Sequence, residues 1–194
     1  YLARFGAFSA TIGTLLLCDR LWHNSGIVVT QTTAQTINSV AWPARDSGAS
    51  TNGVGVQIGL EVSTLTGAGA SVHSISYTNE LGTAGKTGSP RVAYTAASIV
   101  GAFYDYGLAA GDQGVRSIQT FTSTVSMTSG VVRLVAYRVL ARVSIPLAAT
   151  EYYIEALTAG MPKLHDNTVP FLLLIPGVTT APTAMQGQVI YTHG

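Results

Sequence analysis

The chain has 194 residues and a formal net charge of +1, and only 10% of its residues are charged, against about a quarter in an average globular protein. Near-neutral charge and scattered Lys and Arg residues exclude electrostatic binding of nucleic acid as the main role. The longest aliphatic runs, 15–17 and 171–175, are far shorter than the roughly 20 residues that cross a bilayer. We therefore expect neither nucleic acid nor a membrane as a partner.

Hydrophobic residues make up 47% of the chain, and its mean hydropathy is +0.34. Two explanations for so few charges are open. Uncharged polar residues cover the surface, or part of the surface is buried against other subunits. We expect the second arrangement, and therefore a homo-oligomer.

The length suits one all-β domain over residues 1–194. The single cysteine, Cys18, follows three leucines, so we expect it to be buried in a fold without internal disulfides. Because the sequence begins at Tyr1 and not at Met, we also expect an N-terminal segment upstream that was trimmed or left out.

The first part of the chain predicts strands. A short strand is expected within 14–18, and the Thr-rich segment 27–40 is typical of an edge strand. The clearest signal is the alternation of apolar residues with small or polar ones at Val54, Val56, Ile58, Leu60 and Val62. That is the period of a half-buried strand.

The alternation continues after a segment that can turn, 66–70, through His73, Ile75 and Tyr77. We therefore predict an antiparallel hairpin over 53–78, with one face on the core and one polar face.

The middle of the chain predicts two Gly-rich loops, at 79–90 and 107–114. The composition of 92–103 allows a helix or a strand, and we expect a strand because its neighbours are strands. A Ser/Thr-dense strand is predicted over 115–127.

The last part contains the second strong element, 131–145. Its apolar row from Val135 to Ile145 is predicted to be buried, with Arg138 and Arg142 on the opposite face, and Pro146 ends the strand.

A short helix over 150–157, capped by Thr150 and closed by Gly160, and strands at 171–175 and 188–192 complete the prediction. About eight strands and at most one short helix favour an antiparallel β-sandwich or jelly-roll-like fold.

Catalytic signatures are weak. Gly85-Lys86-Thr87 resembles the end of a phosphate-binding loop, but Glu80 stands where that motif needs a glycine. The histidines occur singly, and no Gly-x-Ser-x-Gly motif is present. We therefore expect a protein that is not an enzyme, with no catalytic residues, no cofactor and no metal site.

Three carboxylates leave alternatives open. Asp105 and Asp112 flank a Gly-rich turn and could form a glycosidase pair or a calcium site, although Asp at loop ends is usually turn chemistry. Glu61 projects from the outer face of the predicted hairpin, and a hydrolase hypothesis would use it with the two aspartates.

The segments YTNELGTAGKTGSPRVAYT (77–95), LAAGDQGVRSIQTFT (108–122) and LVAYRVLARVSI (134–145) resemble virion structural proteins of tailed bacteriophages. The resemblance implies a capsid decoration or cement protein, β-rich, trimeric and seated on the major capsid protein of a phage shell. It also implies assembly in the host cytoplasm and a final location in the virion. No catalytic residues are implied.

The alternative is a receptor-binding adhesin module of a tail fibre or spike, with exposed tryptophans binding host glycans. Under the structural hypothesis, aromatic and basic residues are predicted to contact partners. The predicted interface residues are Trp22, Trp42, Lys86, Arg91, Tyr104, Tyr106, Arg116, Arg138 and Arg142.

Overall fold

The computed structural model describes residues 1–69, 71–178 and 184–192. Strands in antiparallel pairs dominate these residues, together with one four-residue helix. The predicted all-β fold class is confirmed, and the large antiparallel sheets are consistent with a β-sandwich. The expected strand number is too low, because many strands are short and thirteen occur in the described part of the chain.

The strands have the following bounds in chain order: β1 Leu2–Ser9, β2 Gly13–His23, β3 Ile27–Val28, β4 Gln35–Thr36, β5 Gln57–Thr64, β6 His73–Asn79, β7 Lys86–Pro90, β8 Phe103–Gly107, β9 Val115–Ser123, β10 Val131–Ile145, β11 Thr150–Glu155, β12 Pro170–Pro176 and β13 Met185–Tyr191. Helix α1 spans Ala156–Ala159, between β11 and β12.

The described residues belong to two compact units. Unit 1 comprises residues 1–19 and 139–194, and unit 2 comprises residues 20–138. Each unit has its own cluster of buried apolar side chains. The single-domain expectation stays a prediction.

Unit 1 contains a three-stranded sheet in the order β11-β1-β13, and β12 pairs with the first part of β2. Phe5 on β1 is buried opposite Ile154 on β11 and Val189 on β13. The strands predicted within 14–18 and at 171–175 and 188–192 are confirmed as parts of β2, β12 and β13, of which β13 ends at Tyr191. Pro170 and Pro176 are the first and last residues of β12. Strand β1 was not predicted.

Unit 2 contains a sheet in the order β10-β5-β8-β7-β6-β9-β4, with β3 also paired to β10. The alternating row of β5 is buried as predicted: Ile58 and Leu60 are inaccessible to solvent and Val62 is 1% exposed. The predicted hairpin is wrong, however, since β8 and β7 lie between β5 and β6. The alternation identified both strands but not their partners.

Loops collect at the two ends of unit 2 because its strands alternate in direction. The β5–β6, β7–β8 and β9–β10 loops meet at one end, where backbone amides and carbonyls join them. The β6–β7 and β8–β9 loops meet at the other end, where Tyr77 and Asn79 of β6 bind the carboxylate of Asp112.

Several local predictions differ from the structure. Residues 91–102 form the β7–β8 loop, so only Phe103 of the strand predicted over 92–103 is in a strand, whereas Lys86–Pro90, inside a predicted loop, is strand β7. Only two short strands form within 27–40. Tertiary pairing overrides composition in each case.

The predicted helix at 150–157 is mostly strand β11, which pairs with β1. In this segment only the residues of α1 are helical, and Glu155 stands at the N-cap instead of Thr150, without a side-chain hydrogen bond. Gly160 ends the helix in the left-handed conformation, as predicted.

Candidate functional site

The aromatic residues predicted at an interface lie mostly in the core of unit 2. Trp42 is 1% exposed, and its indole Nε1 donates to the Val115 carbonyl at 2.6 Å. Tyr106 is inaccessible to solvent. Trp22 is half-buried, with its ring 5.3 Å from that of Trp42. Trp42 therefore packs in the core and satisfies its polar group there, whereas the buried Tyr106 hydroxyl has no hydrogen-bond partner among the described residues.

Tyr104 is half-buried at the edge of the same cluster. Its ring lies 4.6 Å from that of Tyr94, and its hydroxyl is 2.7 Å from the Ser98 hydroxyl. The ring therefore connects β8 to the β7–β8 loop.

The predicted basic residues have different surroundings. Arg138 is buried in unit 2, where its guanidinium donates to the Asp46 carbonyl at 3.3 Å. Lys86 forms an ion pair with Asp112, and Arg91 forms one with Asp105. Arg116, in unit 2, and Arg142, in unit 1, are exposed. The predicted outward position of Arg138 is wrong, because both faces of β10 are covered in this stretch.

Each carboxylate of the hydrolase hypothesis belongs to a different set of contacts. The Glu61 carboxylate lies 3.0 Å from Arg20 and 3.8 Å from Arg133. The Asp105 carboxylate accepts from Arg91 Nε at 2.7 Å and from the Tyr137 hydroxyl at 2.9 Å.

Asp112 is tied to β6 and β7. It accepts from the Tyr77 hydroxyl at 2.6 Å and the Asn79 amide at 2.8 Å, and Lys86 Nζ lies 3.7 Å away. The Tyr77 hydrogen bond, then the one from Asn79, lowers the pKa of Asp112. A glycosidase general acid needs a raised pKa, so this arrangement suits a structural tie between loops.

Asp46 organises the loop before β5, and sequence reasoning missed it. The carboxylate accepts hydrogen bonds from the amides of Gly48, Ser50, Gly53 and Val54 and from the Ser50 hydroxyl. Burial alone would raise the pKa of Asp46, but these hydrogen bonds outweigh it and lower the pKa. The signal was the Asp-Ser-Gly sequence, typical of an Asx turn.

His73 and Ser123 form a buried pair between β6 and β9. The His73 Nδ1 lies 2.9 Å from the Ser123 hydroxyl, and both residues are inaccessible to solvent. The imidazole packs edge-on against Tyr94 and stacks on Phe121. Burial lowers the pKa of His73 to about 4, so the ring is a neutral part of the core at pH 7.

Unit 1 contains an open cleft of about 260 Å³, lined in part by Leu17, His165, Asp166 and Tyr191. Its size lies just below the range of about 300–1,000 Å³ that is usual for small-molecule sites. His165 and Thr168 bind each other around a turn at residues 166–167, through amide-to-hydroxyl and amide-to-carbonyl hydrogen bonds.

The loops at one end of unit 2 are joined to each other by backbone hydrogen bonds. The Thr66 amide of the β5–β6 loop donates to the Ser98 carbonyl of the β7–β8 loop at 3.2 Å. The Gly67 amide donates to the Ser129 carbonyl of the β9–β10 loop at 2.9 Å. We define the uncharged end as residues 65–69, 71–72, 92–102 and 124–130.

The uncharged end contains no Asp, Glu, Lys or Arg. It exposes several large apolar side chains, those of Leu65, Val72, Val92, Ile99, Val100 and Val125. The nearest charge along the β7–β8 loop is Arg91, which pairs with Asp105. The other end of unit 2 carries Glu80, Lys86, Asp112 and Arg116.

Among the described residues, no group of three or more His, Cys, Asp or Glu side chains is placed to hold a metal ion. In the same part of the chain no helix has the length and apolar character needed to cross a membrane. Comparison with protein-family models, curated proteins and solved structures finds no match to this chain.

Proposed function

We propose that this chain is a non-enzymatic structural protein of a tailed-phage virion, most specifically a capsid decoration (cement) protein. The observation that carries the proposal is the uncharged end, where large apolar side chains are exposed on loops that hydrogen bonds hold together. Contiguous exposed apolar surface of this kind marks interaction sites in soluble proteins. The choice of a phage virion as the assembly comes from the sequence resemblance to virion structural proteins.

The loops of the uncharged end suit a protein that acts through contact. Ser98 donates its amide to the Thr66 hydroxyl at 2.9 Å, and the Ala68 amide donates to the Thr128 hydroxyl, also at 2.9 Å. Loops fixed before binding lose little conformational freedom in a complex, which leaves more of the contact energy as affinity. Many such contacts repeated by shell symmetry reinforce one another.

The charged residues also favour a structural role over hydrolysis. Glu61, Asp105 and Asp112 each form an ion pair with a different basic residue, Arg20, Arg91 and Lys86 respectively. Each carboxylate has its negative charge compensated by its own basic partner. These ion pairs therefore suit a rigid scaffold that acts through its surface contacts.

The proposal is tested on phage particles purified from a host that carries the coding sequence. We expect the full chain in the particles by mass spectrometry and on the outer shell by cryo-electron microscopy. Particles made without it should lose packaged DNA at a lower temperature, and added purified chain should restore the original release temperature.

Two outcomes would overturn the proposal. One is a particle preparation without the chain, and the other is an unchanged DNA-release temperature when the chain is absent. Density at a tail fibre tip would favour the adhesin hypothesis instead.

A further inference from the structure

We propose that the uncharged end of unit 2 is the surface through which copies of this chain associate with each other. The inference rests on the proposed function and deepens it, because it assigns the contact between copies to named residues. It does not involve the aromatic and basic residues predicted from the sequence.

The exposed apolar surface is large enough to matter. Six side chains of the uncharged end are between 48% and 69% exposed: Leu65, Val72, Val92, Ile99, Val100 and Val125. Together they expose on the order of 500 Å², near the upper end of the largest apolar patch on a typical monomer. A standard interface buries about 800 Å² per partner, so these side chains would supply more than half of one.

Backbone hydrogen bonds between the loops bring the exposed apolar residues close to one another. Ser98, which precedes Ile99 and Val100, accepts the Thr66 amide next to Leu65. On the β9–β10 side, the Thr124 amide donates to the Val72 carbonyl at 3.0 Å. Neighbouring exposed residues are therefore held at fixed spacing across three loops.

A second copy is the partner that the surface fits best. A charged patch that meets its own copy brings like charges together, whereas the uncharged end has none to repel. Its exposed polar residues are hydroxyls, which donate and accept hydrogen bonds and so can pair with the same residues of another copy. These hydroxyl residues are Thr95, Thr124, Ser126, Thr128 and Ser129.

The difference in charge between the two ends of unit 2 determines how copies are arranged. Its other end carries Glu80, Lys86, Asp112 and Arg116, and burying those charges against an apolar surface would be costly. Copies should therefore meet through the same end around a symmetry axis, which closes the assembly and prevents open chains.

The test is the solution mass of the full chain by size-exclusion chromatography with light scattering. At about 100 µM, which is roughly 100 times a dissociation constant near 1 µM, the wild-type mass should be a multiple of 20.2 kDa. The double variant Ile99→Asp/Val100→Asp should fall to the monomer mass. Both side chains point to solvent, so the variant should keep the wild-type near-UV circular dichroism.

The control is Leu81→Asp, which changes an even more exposed apolar side chain, 81% accessible, in the β6–β7 turn at the other end of unit 2. It should keep the wild-type mass. A monomeric wild type, or a folded double variant with wild-type mass, overturns the inference. So does a monomeric wild type that binds neutral phosphatidylcholine vesicles through these residues, since the occupant would then be lipid.

Failure of the inference and failure of the proposed function are distinguishable. Particles that incorporate a wild-type chain that is monomeric in solution would leave the virion role standing and remove the self-association surface. A chain that associates through Ile99 and Val100 but is absent from particles would support the self-association surface and overturn the virion role.

Discussion

The backbone amide and the hydroxyl of Ser50 both donate to the carboxylate of Asp46, at 2.6 and 2.8 Å. Gly53 and Val54, just before β5, donate to the same carboxylate. One buried side chain therefore determines how the chain enters strand β5 of unit 2.

Replacing Asp46 with Ala should lower the free energy of unfolding by about 3 kcal/mol, because an unsatisfied buried donor costs roughly 1–3 kcal/mol. Urea denaturation at pH 7 measures the change. The matched variant Ser50→Ala removes one of the hydrogen bonds and should cost about 1 kcal/mol. Equal effects of the two substitutions would contradict a central role for the carboxylate.

Stability should fall as the pH is lowered from 6.5 to 4, because His73 is buried and neutral. The unfolded imidazole binds a proton near pH 6.5, whereas burial lowers the folded pKa to about 4. Protons therefore favour the unfolded chain in this window, by up to about 3 kcal/mol at about 1.4 kcal/mol per pKa unit.

Denaturation curves at pH 7 and pH 4.5 measure this effect, and His73→Phe should remove most of it. His23 is exposed, so His23→Gln should keep the wild-type pH dependence. An unchanged dependence in His73→Phe would assign the effect to other groups.

Two glycines with similar backbone angles should respond differently to Ala. Gly53 and Gly111 have φ values of +85° and +88°. A Cβ on Gly53 would overlap the Val115 carbonyl, whereas a Cβ on Gly111 would meet nothing within 4 Å.

Gly111→Ala should therefore cost about 1–2 kcal/mol, the penalty of a left-handed conformation for an L-residue. Gly53→Ala should cost on the order of 3 kcal/mol more, because the backbone must also move. Urea midpoints of the two variants measure the difference. Similar midpoints would show that the backbone at the Val115 carbonyl moves at little cost in free energy.

Association through the uncharged end should be insensitive to salt. Between about 0.05 and 1 M NaCl the screening length falls to about 3 Å, which weakens contacts between exposed charges. The dissociation constant from sedimentation should stay within about threefold, since the surface has no ion pairs to screen. A steep loss with salt would instead favour contacts through exposed residues such as Arg116 and Arg142.

The sequence predicts individual strands better than it predicts their partners. Strand β10 has the predicted bounds, because its apolar alternation is long and Pro146 stops it. The alternation of β5 and β6 was equally clear, but a period of two residues says which face is buried and not which strand lies alongside. The β5–β6 loop bonds to the β7–β8 and β9–β10 loops instead of forming a tight turn.

Aromatic residues and short mixed segments are where sequence reasoning failed. Trp42 and Tyr106 carry a polar group on an apolar ring, so composition fits core and interface alike, and only tertiary packing places them inside. Residues 150–155 contain both helix and strand formers, and they form a strand because they pair with β1.

The candidate surface could be found in the sequence only by joining distant segments. The residues of the uncharged end come from three stretches that lack charge, and none of them alone indicates an interaction surface. The strand order brings them together at one end of unit 2.

The β6–β7 turn offers a place to graft foreign peptides. Ala84 and Gly85 are exposed, and a Cβ on Gly85 would meet no atom within 4 Å. The base of the turn is fastened independently, since the Thr83 amide donates to the Asn79 side chain at 2.8 Å. An epitope spliced after Ala84 would thus leave the scaffold intact and project on the side away from Ile99, so an array of copies would present many antigens outward at once.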